Sequence, residues 1–175
     1  LVSQTQWQKV QSLIQKAIHE GNNLVAGGAG KPEGFDNGYY VRPTIFSDVK
    51  NENSIAREEV FGPVVTIYVY PDNEWKEILK LVDDTSVYAL TGAFISEEKT
   101  SIDYALKHLR YSAGNFYIND KPSGAVVGQQ PFGGSRASGT NDKAGSKLNL
   151  LRWVSPRLIK ENFSPPTDYT YPFME

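Results

Sequence analysis

The segment Arg57-Glu58-Glu59-Val60-Phe61-Gly62-Pro63 sets charged residues directly against a Phe-Gly-Pro turn, just before an apolar run that opens at Val64. Two readings of it stand. It is a helix end followed by a turn, or it is a carboxylate at a strand entrance that accepts two hydrogen bonds from a ribose diol while the nearby aromatic walls a flat heterocycle. Other chemistry-bearing residues point to less. Gly27-Gly28-Ala29-Gly30-Lys31 has the composition of a phosphate loop, but a Walker loop needs Gly where Val25 stands and Ser or Thr where Pro32 stands, and a dinucleotide fingerprint needs Gly in place of Glu33. It reads as a flexible turn. Gly133-Gly134-Ser135-Arg136-Ala137-Ser138-Gly139 lacks the Gly-x-Ser-x-Gly spacing of a nucleophile elbow. His19 and His108 fall near the ends of helical stretches, where a cationic imidazole meets the negative pole of the helix, and no ligand pattern flanks either. Asn162-Phe163-Ser164 matches a glycosylation acceptor only by chance, with Pro165 directly behind it.

The chain has no cysteine, which excludes a disulfide framework, a thiolate zinc site and a Cys nucleophile supplied by these 175 residues. No metal ligand set is expected. Eighteen basic against 20 acidic residues leave a net charge of −2, without the basic excess that tracking a phosphate backbone requires, so no nucleic-acid partner is expected. The 39% hydrophobic and 22% charged fractions suit a globular protein, and no apolar run approaches the ~18 residues that span a bilayer. Leu1 runs at once into helix-like sequence and the only methionine is Met174, so the expectation is a C-terminal piece of a longer protein.

The elements that must position these residues follow from periodicity. Val10, Leu13, Ile14, Ala17 and Ile18 predict an amphipathic helix from about Gln4 to Glu20, stopped by Gly21-Asn22-Asn23. Asn23 to Ala26 is a short strand candidate, Gly27 to Gly38 a loop, and Tyr40 to Val49 an extended segment limited by Pro43. Val64 to Tyr70 predicts a strand covered on both faces; Asp72 then caps a helix with the stripe Trp75, Ile78, Leu79 and Val82. Leu90 to Ile95 is a strand, Glu98 to Leu109 a helix, Asn115 to Asn119 a further strand. This alternation predicts an α/β fold with a parallel sheet flanked by helices. Asp120 to Lys143 is a long Gly/Ser/Pro-rich loop, taken as functional. Ser146 caps a helix to about Arg152, and Val154 to Phe163 alternates weakly as a strand interrupted by Pro156, suited to an edge or a partner subunit. The tail, Ser164 to Glu175, is laid across a surface or disordered.

Gly38-Tyr39-Tyr40-Val41-Arg42-Pro43-Thr44, the Glu59-Val60-Phe61-Gly62-Pro63 segment and Pro131-Phe132-Gly133-Gly134, in this order and spacing, strongly resemble the aldehyde dehydrogenase superfamily over nearly the whole chain, to about Glu161. Within it, Gly128 to Lys143, followed by Leu151-Arg152-Trp153, resembles the Δ1-pyrroline-5-carboxylate dehydrogenases. Members of that family oxidise L-glutamate γ-semialdehyde to glutamate with NAD in proline catabolism. The resemblance implies that Glu59 holds the nicotinamide ribose hydroxyls and Phe61 stands beside the nicotinamide ring. It implies that Asp120 to Val127 anchors the aldehyde, with the amides of Gly124 and Ala125 gripping the substrate carboxylate and Phe132 lining its aliphatic chain. Some relatives carry Ser where Ala125 stands, so a hydroxyl contact made there is absent here.

The family's Cys nucleophile, its general base and its Rossmann-like cofactor domain are expected upstream, so residues 1–153 are the C-terminal part of the catalytic domain and the chain alone is expected to be inert. Residues 154–175 are the association strand and tail, and a homo-oligomer through that strand is expected. The compartment implied is the cytoplasm for a bacterial source and the mitochondrial matrix for a eukaryotic one. The rival readings are an enzyme for another carboxylated aldehyde and a separate binding or assembly module without catalysis.

Overall fold

In the computed structural model, which describes residues 1–123, 125–126 and 128–174, the first helix starts where a hydroxyl can replace a missing backbone partner. Ser3 Oγ accepts from Gln6 N at 3.2 Å and α1 runs Gln4–His19, with Lys16 and His19 in the last turn. Its stripe of Val10, Leu13, Ile14 and Ala17 is buried against Val41, Phe46, Val49 and Ile55. Val10, Ile14 and Phe46 retain no exposed surface. Burial of that depth contributes about 1.5–3 kcal/mol for each large side chain, so this packing is the principal anchor of the first third of the chain.

Strand β1 (Asn23–Ala26) pairs antiparallel with β2 (Thr44–Ser47), and the register shifts between Leu24 and Ala26. Strand β2 pairs parallel with β3 (Val64–Thr66), Thr44 opposite Val64. Pro43 stands one residue ahead of the β2 ladder, where its missing N–H removes no rung. The short helix α2 (Ser54–Arg57) lies between these strands, its start held by Glu20, whose carboxylate accepts from Ser54 N and Ser54 Oγ, both at 3.0 Å.

Beyond β3, a 3-10 turn at Asp72–Glu74 leads into α3 (Trp75–Asp84). Asp72 is inside that turn and caps nothing; Glu74 holds the cap position without a side-chain hydrogen bond. Strand β4 (Tyr88–Ala89) precedes β5 (Thr91–Phe94), α4 (Lys99–His108) crosses over, and β6 (Asn115–Ile118) returns parallel to β5 from Thr91↔Asn115 to Phe94↔Ile118. Leu79 of α3 meets Ala105 and Leu109 in a second core, bordered by Trp75, Phe94, Tyr104 and Phe116. Strand β7 (Ser135–Arg136) pairs antiparallel with β4, and α5 (Lys147–Leu150) begins at Ser146, whose Oγ accepts from Leu148 N at 3.2 Å.

Two further expectations need correction, and a third segment finds no partner among the described residues. The β3-α3-β5-α4-β6 succession does not join one parallel sheet: β1-β2-β3, β4-β7 and β5-β6 are separate. After α3 the chain passes through β4, which turns to β7, so β3 and β5 never share an edge. The run from Val64 is neither a seven-residue strand nor covered on both faces. Its ladder ends at Thr66 with one more rung, Ile67 N to Phe46 O at 2.9 Å, and Val69 is 70% exposed because no described element packs over it. Finally, Val154 to Phe163 forms no ladder; a strand exists only through its partner's hydrogen bonds, and this segment meets no described partner and is exposed throughout.

Candidate functional site

Glu59 is placed by what surrounds it in sequence. On one side Glu58 N donates to Ser54 O at 2.9 Å, ending α2, and the Glu58 carboxylate faces Lys16 at 3.8 Å. On the other, Gln6 Nε2 of α1 donates to Val60 O at 3.1 Å and Phe61 O at 3.2 Å. Phe61 is in the left-handed region at φ 53°, a conformation that a side chain rarely adopts unless its surroundings hold it. Gly62 follows because α1 leaves no room: a Cβ there would come within 2.9 Å of both methyl carbons of buried Val10. The two adjacent carboxylates are thereby separated. Both line one groove with Arg57, Tyr88, Leu90, Thr91 and Ser112, but exposed Glu58 turns to a lysine, whereas half-buried Glu59 has no cation within 4 Å among the described residues. Phe61 is outside that lining and keeps 66% of its surface exposed.

A second, more apolar cavity is lined by Leu90, Thr91, Ser123, Ala125, Gln130 and Phe132. Ala125 and Phe132 are both half-buried there. Gly124, the other residue expected to grip a carboxylate, lies outside the described residues, as does Val127. Leu90 and Thr91 line both the groove and the cavity. The two candidate sites therefore share one wall.

The loop that brings Phe132 to this wall is fastened by polar contacts that periodicity does not reveal. Phe132 N donates to Ala144 O at 2.9 Å and Ala144 N to Phe132 O at 2.7 Å. Asn115 Nδ2 donates to Pro131 O at 2.9 Å, and Asn115 Oδ1 accepts from Gly133 N at 3.2 Å. Lys143 Nζ donates to Gly114 O, with partial burial pushing its amine below the usual lysine range. Further along, Ser138 Oγ accepts from Ala89 N at 3.0 Å, and Arg136 Nη2 pairs with Asp83 Oδ1 at 2.5 Å. The Ser112 hydroxyl, which donates to the same carboxylate, is the main cause that holds Asp83 below its usual range; burial pushes the other way, and the Arg136 guanidinium adds to the lowering. Asn115, Lys143 and the Asp83–Arg136 pair are thus parts of the site that sequence reading missed. The one visible signal was an Asn opening a predicted strand opposite a long Gly-rich loop.

Among the described residues no helix is long and apolar enough to cross a membrane, and no group of three or more His, Asp or Glu could hold a metal ion.

Residues 1–157 match the aldehyde dehydrogenase family, and the chain belongs to it. It is 52% identical over 99% of its length to the mitochondrial Δ1-pyrroline-5-carboxylate dehydrogenase of Dictyostelium discoideum, and 54% identical over 79% to that of Homo sapiens. It spans 31% and 24% of those two proteins, about a quarter to a third of the curated relatives' length. Among solved structures it resembles the Δ-pyrroline-5-carboxylate dehydrogenase of Mycobacterium tuberculosis bound with NAD and cobalamin, with a TM-score of 0.75 and 45% identity over all of this chain and 32% of that one. The NAD-bound 1-pyrroline-5-carboxylate dehydrogenase from Thermus gives a TM-score of 0.71 and 41% identity over 87% of this chain and 28% of that one.

Proposed function

We propose that this chain builds part of an NAD-dependent dehydrogenase that oxidises L-glutamate γ-semialdehyde, the ring-opened form of Δ1-pyrroline-5-carboxylate, to L-glutamate. The observation that carries the reading is the wall of Leu90 and Thr91 common to the Glu59 groove and the Ala125–Phe132 cavity. Oxidation of an aldehyde by hydride transfer requires donor carbon and acceptor in near contact, and two sites that share wall residues are adjacent. The relatives' names supply the substrate.

Glu59 fits the cofactor by the chemistry of its donor set: a half-buried carboxylate without a cationic partner accepts from two adjacent ribose hydroxyls at little cost in desolvation. The open face of Phe61 supplies a flat apolar surface beside a ring. NAD, when bound, takes up the hydride that leaves the aldehyde carbon. Phe132 covers the aliphatic chain of the substrate, and the amides of Gly124 and Ala125 bind its α-carboxylate, where a small side chain leaves room for the anion. The nucleophile is not among these residues, since the chain has no cysteine.

Residues 1–153 belong to the catalytic part in this reading, and 154–175 to subunit association, where the exposed Val154–Phe163 segment finds its ladder on a second subunit. For a eukaryotic source the compartment is the mitochondrial matrix, in keeping with the relatives' names.

NADH formation by the whole enzyme, with glutamate semialdehyde and with an aldehyde of equal length lacking the carboxylate, tests the function. A kcat/KM at least about tenfold higher for the semialdehyde is expected. Equal values for the two overturn the substrate assignment.

A further inference from the structure

We propose that Asn115 is a positioning residue that sets the shape of the aldehyde cavity by pinning the peptide groups on both sides of Phe132, an inference that rests on the substrate reading above. The side-chain amide makes one bond to each neighbour: Nδ2 donates to Pro131 O at 2.9 Å and Oδ1 accepts from Gly133 N at 3.2 Å. Phe132 supplies its own N–H and C=O to Ala144. Four hydrogen bonds therefore hold the backbone across three consecutive residues, and the direction in which the Phe132 ring leaves the chain is set by them. Without Asn115 the two outer bonds are lost and the ring pivots on the Ala144 bridge.

The position of Asn115 ties this clamp to the opposite side of the cavity. In the β5–β6 register Asn115 stands opposite Thr91, and Thr91 is a wall residue. The separation between wall and ring is consequently set by one rung of one ladder. Tyr117, two residues on and so on the same face of β6, donates from its hydroxyl to Gln130 Oε1 at 3.3 Å, and Gln130 also lines the cavity. Strand β6 thus presents two side chains to the loop, both touching residues of the cavity or their immediate neighbours.

The residue type follows from the task. The clamp must donate to a carbonyl and accept from an amide at once through two separate atoms, which a carboxamide does; an ionised carboxylate only accepts, an aliphatic group does neither, and the hydroxyl of Ser or Thr offers both functions on a single, closer-set atom. Lys143 Nζ stands 3.4 Å from Asn115 Oδ1 and is the only charged group within bonding reach of the clamp among the described residues. Asp at 115 keeps the acceptor for Gly133 N and Lys143 but loses the donor to Pro131 O. It is therefore the partial variant.

The experiment compares N115A, N115D, F132A and the N115A/F132A double variant in the whole enzyme, reading kcat/KM for glutamate semialdehyde and for a short aldehyde without a carboxylate, with the thermal midpoint of each. N115A is expected to lower kcat/KM for the semialdehyde about tenfold and for the short aldehyde less than about threefold, because the longer substrate uses the ring and the shorter one does not. N115D falls between N115A and wild type. In the F132A background N115A causes no further loss, since residues acting through one another are not additive. Equal losses for both aldehydes, a full additional loss in the double variant, or wild-type kinetics in N115A each overturn the inference. If N115A does not fold, the ratio is read from N115D, whose unchanged ratio overturns it too. If the wild-type enzyme prefers another aldehyde, it is the substrate assignment that falls, and the same ratios are then read with the preferred aldehyde.

Discussion

The turn that carries Glu59 and Phe61 and the loop that carries Phe132 both lie outside the sheets, yet they are held in place by different interactions. The turn leans on the α1 core: Val60 packs against it, Gly62 touches Val10, and one side chain, Gln6, bonds the two carbonyls between. The loop has little buried apolar surface of its own and depends on hydrogen bonds from Asn115, Lys143, Ser138 and the Asp83–Arg136 pair. Packing is non-directional and tolerates small shifts. Hydrogen bonds fix angles, so the loop is placed more sharply and lost more abruptly when a single partner goes.

The severest break is expected at Gly114. A Cβ there would overlap the Gly133 carbonyl oxygen and come within 2.8 Å of Gly134 Cα, backbone that cannot step aside without carrying Phe132 with it. Gly114→Ala should cut kcat/KM for the semialdehyde about a hundredfold, roughly 2.7 kcal/mol, while the affinity for NAD changes little. Steady-state kinetics beside cofactor titration reads both, and a parallel loss of NAD affinity would show that the two regions are not separable.

Val10→Ala attacks the other support. Emptying a fully buried position in the α1 core should cost about 2 kcal/mol of stability, seen as a lower denaturant midpoint. The preference among aldehydes should be untouched; a changed preference would mean that the loop also leans on α1.

At Glu59 the comparison narrows from support to chemistry. Glu59→Gln keeps the shape and removes the charge, so the loss of charge-assisted hydrogen bonds to the ribose should raise the KM for NAD about tenfold, near 1.4 kcal/mol. Glu58→Gln, at a carboxylate on the same groove that is turned to Lys16, should change KM less than about twofold. The reverse outcome would exchange the roles of the two carboxylates.

The smallest effect is expected from the Asp83–Arg136 pair, whose side chains are 33% and 30% exposed, so solvent screening keeps its contribution below about 1 kcal/mol. Asp83 titrates below its ordinary value in the folded chain. Its contribution is thus present above the unfolded carboxyl value, about 3.9, and disappears as pH falls through the lower folded value. Asp83→Asn should be less stable than wild type near neutrality, and the gap should close at acid pH. Urea unfolding across pH measures it, and a gap that stays constant would remove the ionised pair from the account.

Helix α1 was legible almost to the residue because its apolar stripe repeats at 3.6 and a hydroxyl opens it; β1, the β5-α4-β6 crossover and the Ser146 cap were legible for similar local reasons. The run from Val64 misled, because apolar strand character reports that a face can be covered and not what covers it. Val154 to Phe163 is a different case: alternation supplies a strand's side chains, but the ladder needs a partner's backbone, which the chain itself does not offer among the described residues.

By itself, the sequence determined the local elements, the absence of a thiol and, through three ordered motifs, the family and the candidate residues Glu59, Phe61, Ala125 and Phe132, because each of these depends on residue types and short spacings. Only the tertiary structure decided that Glu58 and not Glu59 pairs with Lys16, that Leu90 and Thr91 are shared between groove and cavity, and that Asn115 holds the loop around Phe132. Those facts are contacts between residues 16 to 42 positions apart in the chain. Partners at that distance along the chain meet only after the packing of helices and the pairing of strands have set their separation, and no periodicity along the chain encodes it.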